Sequence, residues 1–358
     1  MTALFHNILP FLAILLVLVF VHEAGHYLAA RRLGIAVKRF SVGMGPMVWS
    51  AKDKRGTQWG VSLLPLGGYV SMVEKDKAAE GAADVEGGPY QTAPRAHRAA
   101  VLLAGPLANA VLGLAIVWGA YTISPVDKTP PVVGEVVADT PAEAAGLKAG
   151  DRIVSIDGKP IDRFRQIVVA MGTNLDSPID LVVARDGTTF SLNVVPRREV
   201  TVEKNGRRME RGVIGVRSGD PVLERVSFWE AGAMAAATAR DVTLGDLKAL
   251  RQIVTRDRSP DGVAGVIGMA EATGEANSSL GGLILFAALL SLNLALVNLL
   301  PIPALDGGQL LVLTVETLVR RDLPETIRAG VAYAGIAIIG TIFLLTTIND
   351  LSFLVYSW

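Results

Sequence analysis

The sequence predicts a polytopic α-helical membrane protein with four transmembrane helices, and three observations support that fold class. The chain of 358 residues has a mean hydropathy of +0.42 and only 19% charged residues, less charge than a water-soluble surface needs. Its 34 basic and 34 acidic residues balance, so no basic excess points to nucleic acid. Four stretches contain no Lys, Arg, Asp or Glu and exceed the ~20 residues that span a bilayer: 1–21, 99–126, 276–305 and 329–349.

Within these stretches we expect spans near 8–30, 99–123, 280–300 and 329–347. The first lacks the basic n-region and the small-residue cleavage site of a signal peptide, so we interpret it as a span. Eleven Lys and Arg residues lie between residues 31 and 98, and the positive-inside rule places that loop in the cytoplasm. Both termini and the long 124–279 segment are then extracytoplasmic.

The region after the first span has the pattern of β structure. Three short β-prone runs, 38–43, 47–52 and 57–64, are separated by turn signals such as Gly45-Pro46. Gly67-Gly68 closes the region. We therefore predict a membrane-associated β-hairpin region here.

Residues 131–196 have the pattern of a compact α+β domain outside the membrane. Strands are predicted at 132–137 and 152–156, helices at 140–146 and 164–171, and a hairpin around Asp186-Gly187. The run 144–153, Ala-Ala-Gly-Leu-Lys-Ala-Gly-Asp-Arg-Ile, resembles the PDZ domains of bacterial envelope proteases. PDZ domains bind peptides as an added strand, although such a fold also serves as a spacer or gate.

Residues 197–226 are charged and are predicted to be a linker, and 227–256 has the spacing of an amphipathic helix at the outer membrane surface. The predicted organisation begins with a first transmembrane helix (1–36), a β region (37–72), a cytoplasmic loop (73–98) and a second transmembrane helix (99–126). A PDZ domain (127–197), a linker with an amphipathic helix (198–279) and the last two transmembrane helices (280–358) follow.

The first span contains a metal-binding pattern, His22-Glu23-Ala24-Gly25-His26, which fits H-E-x-x-H. Helical residues four apart share a face, so both imidazoles can reach one ion, and zinc suits imidazole ligands. Glu23 is then placed to take a proton from a zinc-activated water and return it to a leaving amine. The alternative is a polar helix-packing contact, but such groups are costly to bury in lipid without a purpose.

A third ligand is needed, and with no cysteine in the chain the best candidate is Asp306. It follows Pro301 and Pro303, which break the third span, and broken backbone at membrane depth survives only where it lines protein or a water-filled cavity. The alternative is an ordinary helix exit with Asp306 as a solvated cap.

The two motifs together resemble the site-2 protease family, in its bacterial RseP-type branch. HExxH lies in the first span, the sequence Asn-Leu-Leu-Pro-Ile-Pro-Ala-Leu-Asp-Gly at 298–307 fits N-x-x-P-x-P-x-L-D-G in the third, and the PDZ-like region lies between them. The resemblance covers nearly the whole chain. Some relatives carry two PDZ domains, whereas one is recognisable here, and this departure leaves the regulatory input open.

The resemblance implies roles for individual residues. His22, His26 and Asp306 would bind Zn²⁺, with Glu23 as base and acid. Asn298 would help to hold the substrate backbone. The region 37–72 would be a membrane-re-entrant β-loop, with a G-x-G turn at Gly43 and Gly45. The motif Gly105-Pro106-Leu107-Ala108-Asn109 also resembles one of the family, but packing is the only role we assign to it.

The resemblance also implies regulated intramembrane proteolysis in a bacterial inner membrane. Substrates would be single-pass membrane proteins already trimmed outside by a site-1-type protease, such as an anti-sigma factor or a remnant signal peptide. The rival functions are a membrane-tethered PDZ adaptor with a structural or vestigial metal site and a metal or proton transporter. The sequence leaves the choice between zinc and another divalent ion open.

Overall fold

The structure is a computed structural model that describes residues 4–73, 85–172, 174–202, 208–257 and 263–356. The chain divides into two compact units. The first unit comprises residues 1–117 and 265–347, and the second unit comprises residues 118–264 and 348–358.

The helices of the described residues follow a π-helical turn at Leu4–Ile8. In chain order they are α1 Leu9–Arg32, α2 Arg95–Ile123, α3 Pro141–Ala144, α4 Phe164–Gly172, α5 Phe228–Val254, α6 Val266–Ala276, α7 Leu280–Leu299, α8 Asp306–Leu318 and α9 Glu325–Tyr356.

Four of these helices are long and apolar enough to cross a membrane, which confirms that the four predicted apolar stretches are helical. They are α1, α2, α7 and α9. Helices α2 and α9 begin four residues before the predicted apolar stretches, at Arg95 and Glu325, because their first turns are polar. The predicted break after the third span is also found: α7 ends at Leu299, and α8 begins at Asp306.

The β region of the first unit consists of two long strands, β1 Val37–Lys52 and β2 Gln58–Met72, rather than three short runs. They pair antiparallel with breaks in register, so that Phe40 has partners on both sides, Trp59 and Val70. Pairing continues past Gly67-Gly68, where the sequence suggested an end. The Phe40 and Trp59 rings stack at 4.3 Å, and Tyr27 of α1 lies 4.8 Å from Trp59, which packs the sheet against α1.

The predicted loop at 73–98 falls partly outside the described residues, since 74–84 are not among them. In its described part, Gly88 forms a parallel bridge with Ile35, and Tyr90–Thr92 form one 3₁₀ turn.

The second unit contains the predicted α+β domain with its own hydrophobic core. Its strands include β3 Val126–Asp127, β4 Val133–Val136, β5 Arg152–Ile156, β6 Lys159–Pro160, β7 Ile179–Arg185 and β8 Thr188–Val194. The predicted 152–156 strand, 164–171 helix and 179–195 hairpin are confirmed. Four strands form a sheet in the order β6-β5-β7-β8. Positive φ at Asp157-Gly158 and Asp186-Gly187 gives the tight hairpin turns that Asp-Gly favours.

The interpretation of 197–226 as linker is wrong. Its described residues form β9 Arg197–Val202, β10 Arg208–Val213, β11 Val216–Ser218 and β12 Leu223–Glu224. Strand β11 pairs with β4, β12 pairs with β3, and Ile214 is buried in the core of the domain. The domain therefore continues beyond residue 197. Strands β9 and β10 pair with each other, whereas β11 and β12 form because β4 and β3 offer partners.

Two helices follow in the range predicted as linker and amphipathic helix. Helix α5 occupies most of 227–256, and its N-cap Ser227 accepts a hydrogen bond from the Glu230 amide at 3.3 Å. Helix α6 was not predicted separately. It lies in the first unit, where Asn277 at its end donates to the His6 carbonyl oxygen at 3.1 Å.

Candidate metal centre

The two motif histidines lie on one face of α1. Their Nε2 atoms are 3.1 Å apart, and both side chains are buried, although they belong to an apolar helix. The helical period explains this arrangement, since residues four apart stand one turn above each other.

Asp306 reaches the same point from the first turn of α8. Its Oδ2 lies 3.1 Å from His22 Nε2 and 3.3 Å from His26 Nε2. Among the described residues this buried oxygen has no donor with hydrogen-bond geometry. The three residues, which we call the ligand cluster, are the group of His, Asp and Glu side chains in the described chain whose geometry suits a metal ion.

The backbone between α7 and α8 must fold back tightly to bring Asp306 there. Pro301 and Pro303 prevent helix continuation, and Ala304 takes a left-handed φ of 76°. A Cβ on Gly307 would overlap the carbonyl oxygens of Leu299 and Leu300, and one on Gly308 would overlap that of Ile302. The two glycines after Asp306 are therefore required by close backbone approach.

Helix α2 forms the wall behind the histidines. A Cβ on Gly105 would overlap His26 Nε2, and one on Gly25 would overlap the Ala104 carbonyl, so these glycines let α1 and α2 cross closely. His26 Nδ1–H donates to the Val101 carbonyl oxygen at 2.7 Å, and the Asn109 amide lies 3.4 Å from His22 Nδ1. The motif at 105–109 thus touches both imidazoles, a role that the sequence interpretation missed.

Glu23 lies next to the ligand cluster and against the β sheet. A Cβ on Gly68 would stand 3.0 Å from Glu23 Cγ, so β2 passes directly beside this side chain. Glu23 is half-buried, whereas both histidines are buried.

Helix α8 is held in place by an ion-pair network on its inner side. Glu316 is fully buried, and its carboxylate lies 3.4 Å from Arg98 Nη2 of α2 and 2.8 Å from Arg328 Nη2 of α9. The same side chains border a cavity of about 450 Å³ that extends to Ala304, beside the Asp306 loop. Helices α2 and α9 are thereby both linked to α8, the helix that carries Asp306.

The remaining predicted site residues lie outside the ligand cluster. Asn298 is in the last turn of α7, where its Nδ2 donates to the Leu294 carbonyl oxygen at 2.9 Å. Gly43 and Gly45 have φ values of 90° and 89°, and a Cβ on Gly43 would stand 2.7 Å from the Leu64 carbonyl oxygen. No hydrogen bond or ion pair in the described part of the chain joins these three residues to the ligand cluster.

The ligand cluster fits a zinc ion by donor type and by spacing. Tetrahedral zinc with bonds of about 2.0–2.2 Å holds its ligand atoms about 3.3–3.6 Å apart. The three distances of 3.1, 3.1 and 3.3 Å are within a few tenths of an ångström of that range. Two imidazoles and one carboxylate also leave the fourth position for water, as in catalytic zinc sites.

Comparison with known proteins agrees with this chemistry. The family model described as "Peptidase family M50" matches residues 10–342. A Caulobacter vibrioides protein named Metalloprotease MmpA is 34% identical and is aligned over 95% of this chain and 94% of its own length. Two relatives carry the name "Putative zinc metalloprotease". The one from Rhizobium meliloti is 34% identical over 98% of this chain and 97% of its own, and the one from Agrobacterium fabrum is 35% identical over 97% and 96%.

Proposed function

Because the chain belongs to peptidase family M50, the site-2 protease family, and is a metalloendopeptidase of a membrane, we propose that it cleaves single-pass membrane proteins within or near their transmembrane segments. The substrate would first be trimmed outside by a site-1-type protease, as for an anti-sigma factor or a remnant signal peptide. The observation that carries the proposal is the ligand cluster, with Glu23 beside it, on helices apolar enough to span a bilayer.

In this proposal His22, His26 and Asp306 hold zinc. Zinc, when bound, supplies Lewis acidity, which lowers the pKa of water toward ~7 and polarises a carbonyl group. Glu23 accepts the proton of the attacking water at its carboxylate and then donates it to the nitrogen of the leaving amine. The peptide bond is thereby replaced by a carboxylic acid and an amine, with one water consumed.

The β sheet would hold the substrate in an extended form. A helical peptide bond is shielded by its own hydrogen bonds, so the segment must unwind before hydrolysis. The contact of Gly68 with Glu23 supports docking of an extended segment as an added strand near β2. Gly43 and Gly45 would shape the turn of this sheet, and Asn298 would bind the substrate backbone after release of its Leu294 bond.

The proposed location is a bacterial inner membrane with the active site toward the cytoplasm. The eleven basic residues between 31 and 98 support that orientation, with both termini and the α+β domain of the second unit outside. We propose that this domain is a PDZ domain that either binds a peptide or filters substrates by size. Its α+β elements and tight hairpins support that assignment.

The test uses purified wild type and Glu23→Gln in detergent. One model substrate has a spanning segment with a short outer tail, and a second has the same segment with a folded outer domain. We expect wild type to cut only the first, within the spanning segment as located by mass spectrometry, and Glu23→Gln to cut neither. Cleavage by Glu23→Gln at the wild-type rate would contradict the proposal. Cleavage by neither protein with one bound zinc per chain would also contradict it, and is what an adaptor with a structural metal predicts.

A further inference from the structure

The outer nitrogens of both imidazoles face helix α2. Because each Nε2 belongs to the ligand cluster, each Nδ1 must find its partner elsewhere. His26 Nδ1–H donates to the Val101 carbonyl oxygen at 2.7 Å, which fixes the tautomer that leaves Nε2 free for a metal. His22 Nδ1 has the Asn109 side-chain amide as its neighbour, at 3.4 Å.

Asn109 is an unusual residue for its place. It is fully buried in a membrane-spanning helix, where an amide needs partners for its oxygen and its nitrogen. Its Nδ2 faces His22 Nδ1, while its Oδ1 is buried with no donor among the described residues. The backbone carbonyl of Asn109 accepts from Ser291 Oγ at 2.8 Å, so α7 holds the backbone at this position.

The two ends of an amide suit the two tautomers of His22. Without metal, His22 Nε2–H can donate to His26 Nε2, 3.1 Å away, and His22 Nδ1 accepts from the amide nitrogen. A zinc ligand bound through Nε2 instead carries its proton on Nδ1 and needs an acceptor there. A half-turn of the amide brings Oδ1 to that place, because its oxygen and nitrogen are nearly equal in size.

We propose that Asn109 is a positioning residue of the zinc site, whose amide holds the His22 ring and, through Oδ1, selects the tautomer that binds metal. The inference rests on the proposed zinc site and adds a residue to it. It gives the motif at 105–109 two tasks: Gly105 makes room for His26, and Asn109 supports His22.

The test compares zinc affinity, measured by competition with a chelator, in wild type and three variants. Asn109→Leu keeps the approximate volume and removes both hydrogen-bonding groups. Asn109→Asp keeps only an acceptor. Ser291→Ala removes the neighbouring contact to the Asn109 backbone and serves as the control for altered packing between α2 and α7.

We expect Asn109→Leu to weaken zinc binding by about 10–100-fold, the range seen for lost outer partners of metal-bound histidines. Asn109→Asp should bind zinc at least as tightly as wild type, and Ser291→Ala should stay within about threefold of it, because the side-chain amide remains in place. With only four histidines in the chain, ring ¹⁵N spectra of histidine-labelled protein can follow the tautomer. They should show His22 protonated at Nδ1 in zinc-loaded wild type and Asn109→Asp.

Two results would overturn the inference. One is unchanged zinc affinity in Asn109→Leu. The other is equal loss in Asn109→Leu and Asn109→Asp, which would assign the effect to the amide nitrogen or to packing. A wild-type protein that binds no zinc would instead refute the proposed function, so the two failures are distinguishable.

Discussion

Two carboxylates in this molecule, one of a fully buried residue and one with a buried Oδ2, have opposite surroundings. Asp151, in the second unit, is fully buried, and its oxygens accept from Arg185 at 2.6 and 2.8 Å and from the Lys148 amide at 2.7 Å. Asp306, in the first unit, faces two imidazole nitrogens at 3.1 and 3.3 Å, and its Oδ2 lacks a donor of hydrogen-bond geometry among the described residues.

The difference separates a carboxylate that is paired with an arginine from a carboxylate that belongs to a donor set suited to a metal ion. Buried polar groups are normally satisfied, and Asp151 follows that rule with a cation of matching geometry. Asp306 departs from that rule, because its nearest nitrogens are two imidazole Nε2 atoms and neither is in hydrogen-bond geometry with Oδ2. The cluster around Asp306 should therefore respond to metal and change activity, whereas the Asp151 pair should respond to acid and change stability.

The largest effect is expected from removing the base and keeping the ligands. Glu23→Gln should lower the cleavage rate by about a thousandfold or more, because proton transfer is lost while the three ligand side chains stay. Single-turnover cleavage measures the loss of proton transfer, and the zinc content of the same protein shows whether the metal ligands are retained. If Glu23→Gln lost zinc as well as activity, Glu23 would be a residue of the metal site and not only a proton-transfer group.

The same substitution, aspartate to asparagine, at each of the two carboxylates tests the difference between them most directly. Asp306→Asn should reduce zinc affinity by more than about a hundredfold, beyond the loss expected from an outer partner, and should leave the second unit folded. Asp151→Asn should keep zinc affinity unchanged. Chelator competition on both proteins gives the answer, and similar zinc loss in both would mean that the two carboxylates do not differ as described.

A methyl group in the α1–α2 crossing should have a smaller effect on the metal site. Gly105→Ala places a Cβ against His26 Nε2. It should weaken zinc binding by about tenfold or more, because the displaced imidazole no longer has the orientation that the metal needs. Gly119→Ala, on the same helix, is the matched control because its Cβ would meet nothing within 4 Å. Equal zinc affinity in both variants would show that α1 and α2 are not in close contact at His26.

The smallest effect concerns acid stability of the second unit. The Arg185 guanidinium lowers the pKa of Asp151 below its usual value. Because the folded-state pKa is depressed, this stabilisation is fully present above the unfolded pKa of about 3.9 and is lost as pH falls through the folded value.

Hydrogen exchange of the β5 and β7 amides checks this expectation. At pH 7 they should exchange on the order of tenfold faster in Asp151→Asn than in wild type, since a charge-assisted bond is lost. The ratio between the two proteins should shrink toward one below pH 4. A ratio that stays constant with pH would show that the charge of the Asp151 carboxylate does not contribute to this stability.

The parts of the fold that local pattern controls could be predicted from the sequence. Four apolar stretches gave four helices, and prolines 301 and 303 ended the third one. Asp-Gly pairs marked two hairpins. Strands β11 and β12 could not be recognised, because their pairing depends on β4 and β3, which lie 80 to 98 residues earlier. Strands β9 and β10 pair with each other, but their charged residues are typical of solvated chain.

The same division applies to the metal centre. The helical period alone brings His22 and His26 together, and the broken third span suggested Asp306. The role of α2 depends on how two helices cross, which no local pattern specifies. One signal was present: Asn109 is a polar residue inside a span, and such residues are usually functional. The family and the metalloprotease activity are confirmed, while the PDZ assignment and the substrate-binding residues stay predictions.

The most direct test of the central claim is the zinc K-edge X-ray absorption spectrum of the purified chain in detergent. We predict one zinc per chain with two imidazole nitrogens at about 2.0–2.1 Å and oxygen ligands at about 2.0–2.2 Å, and loss of this spectrum in Asp306→Asn. A zinc shell without imidazole, or an unchanged spectrum in Asp306→Asn, would contradict the assignment of His22, His26 and Asp306.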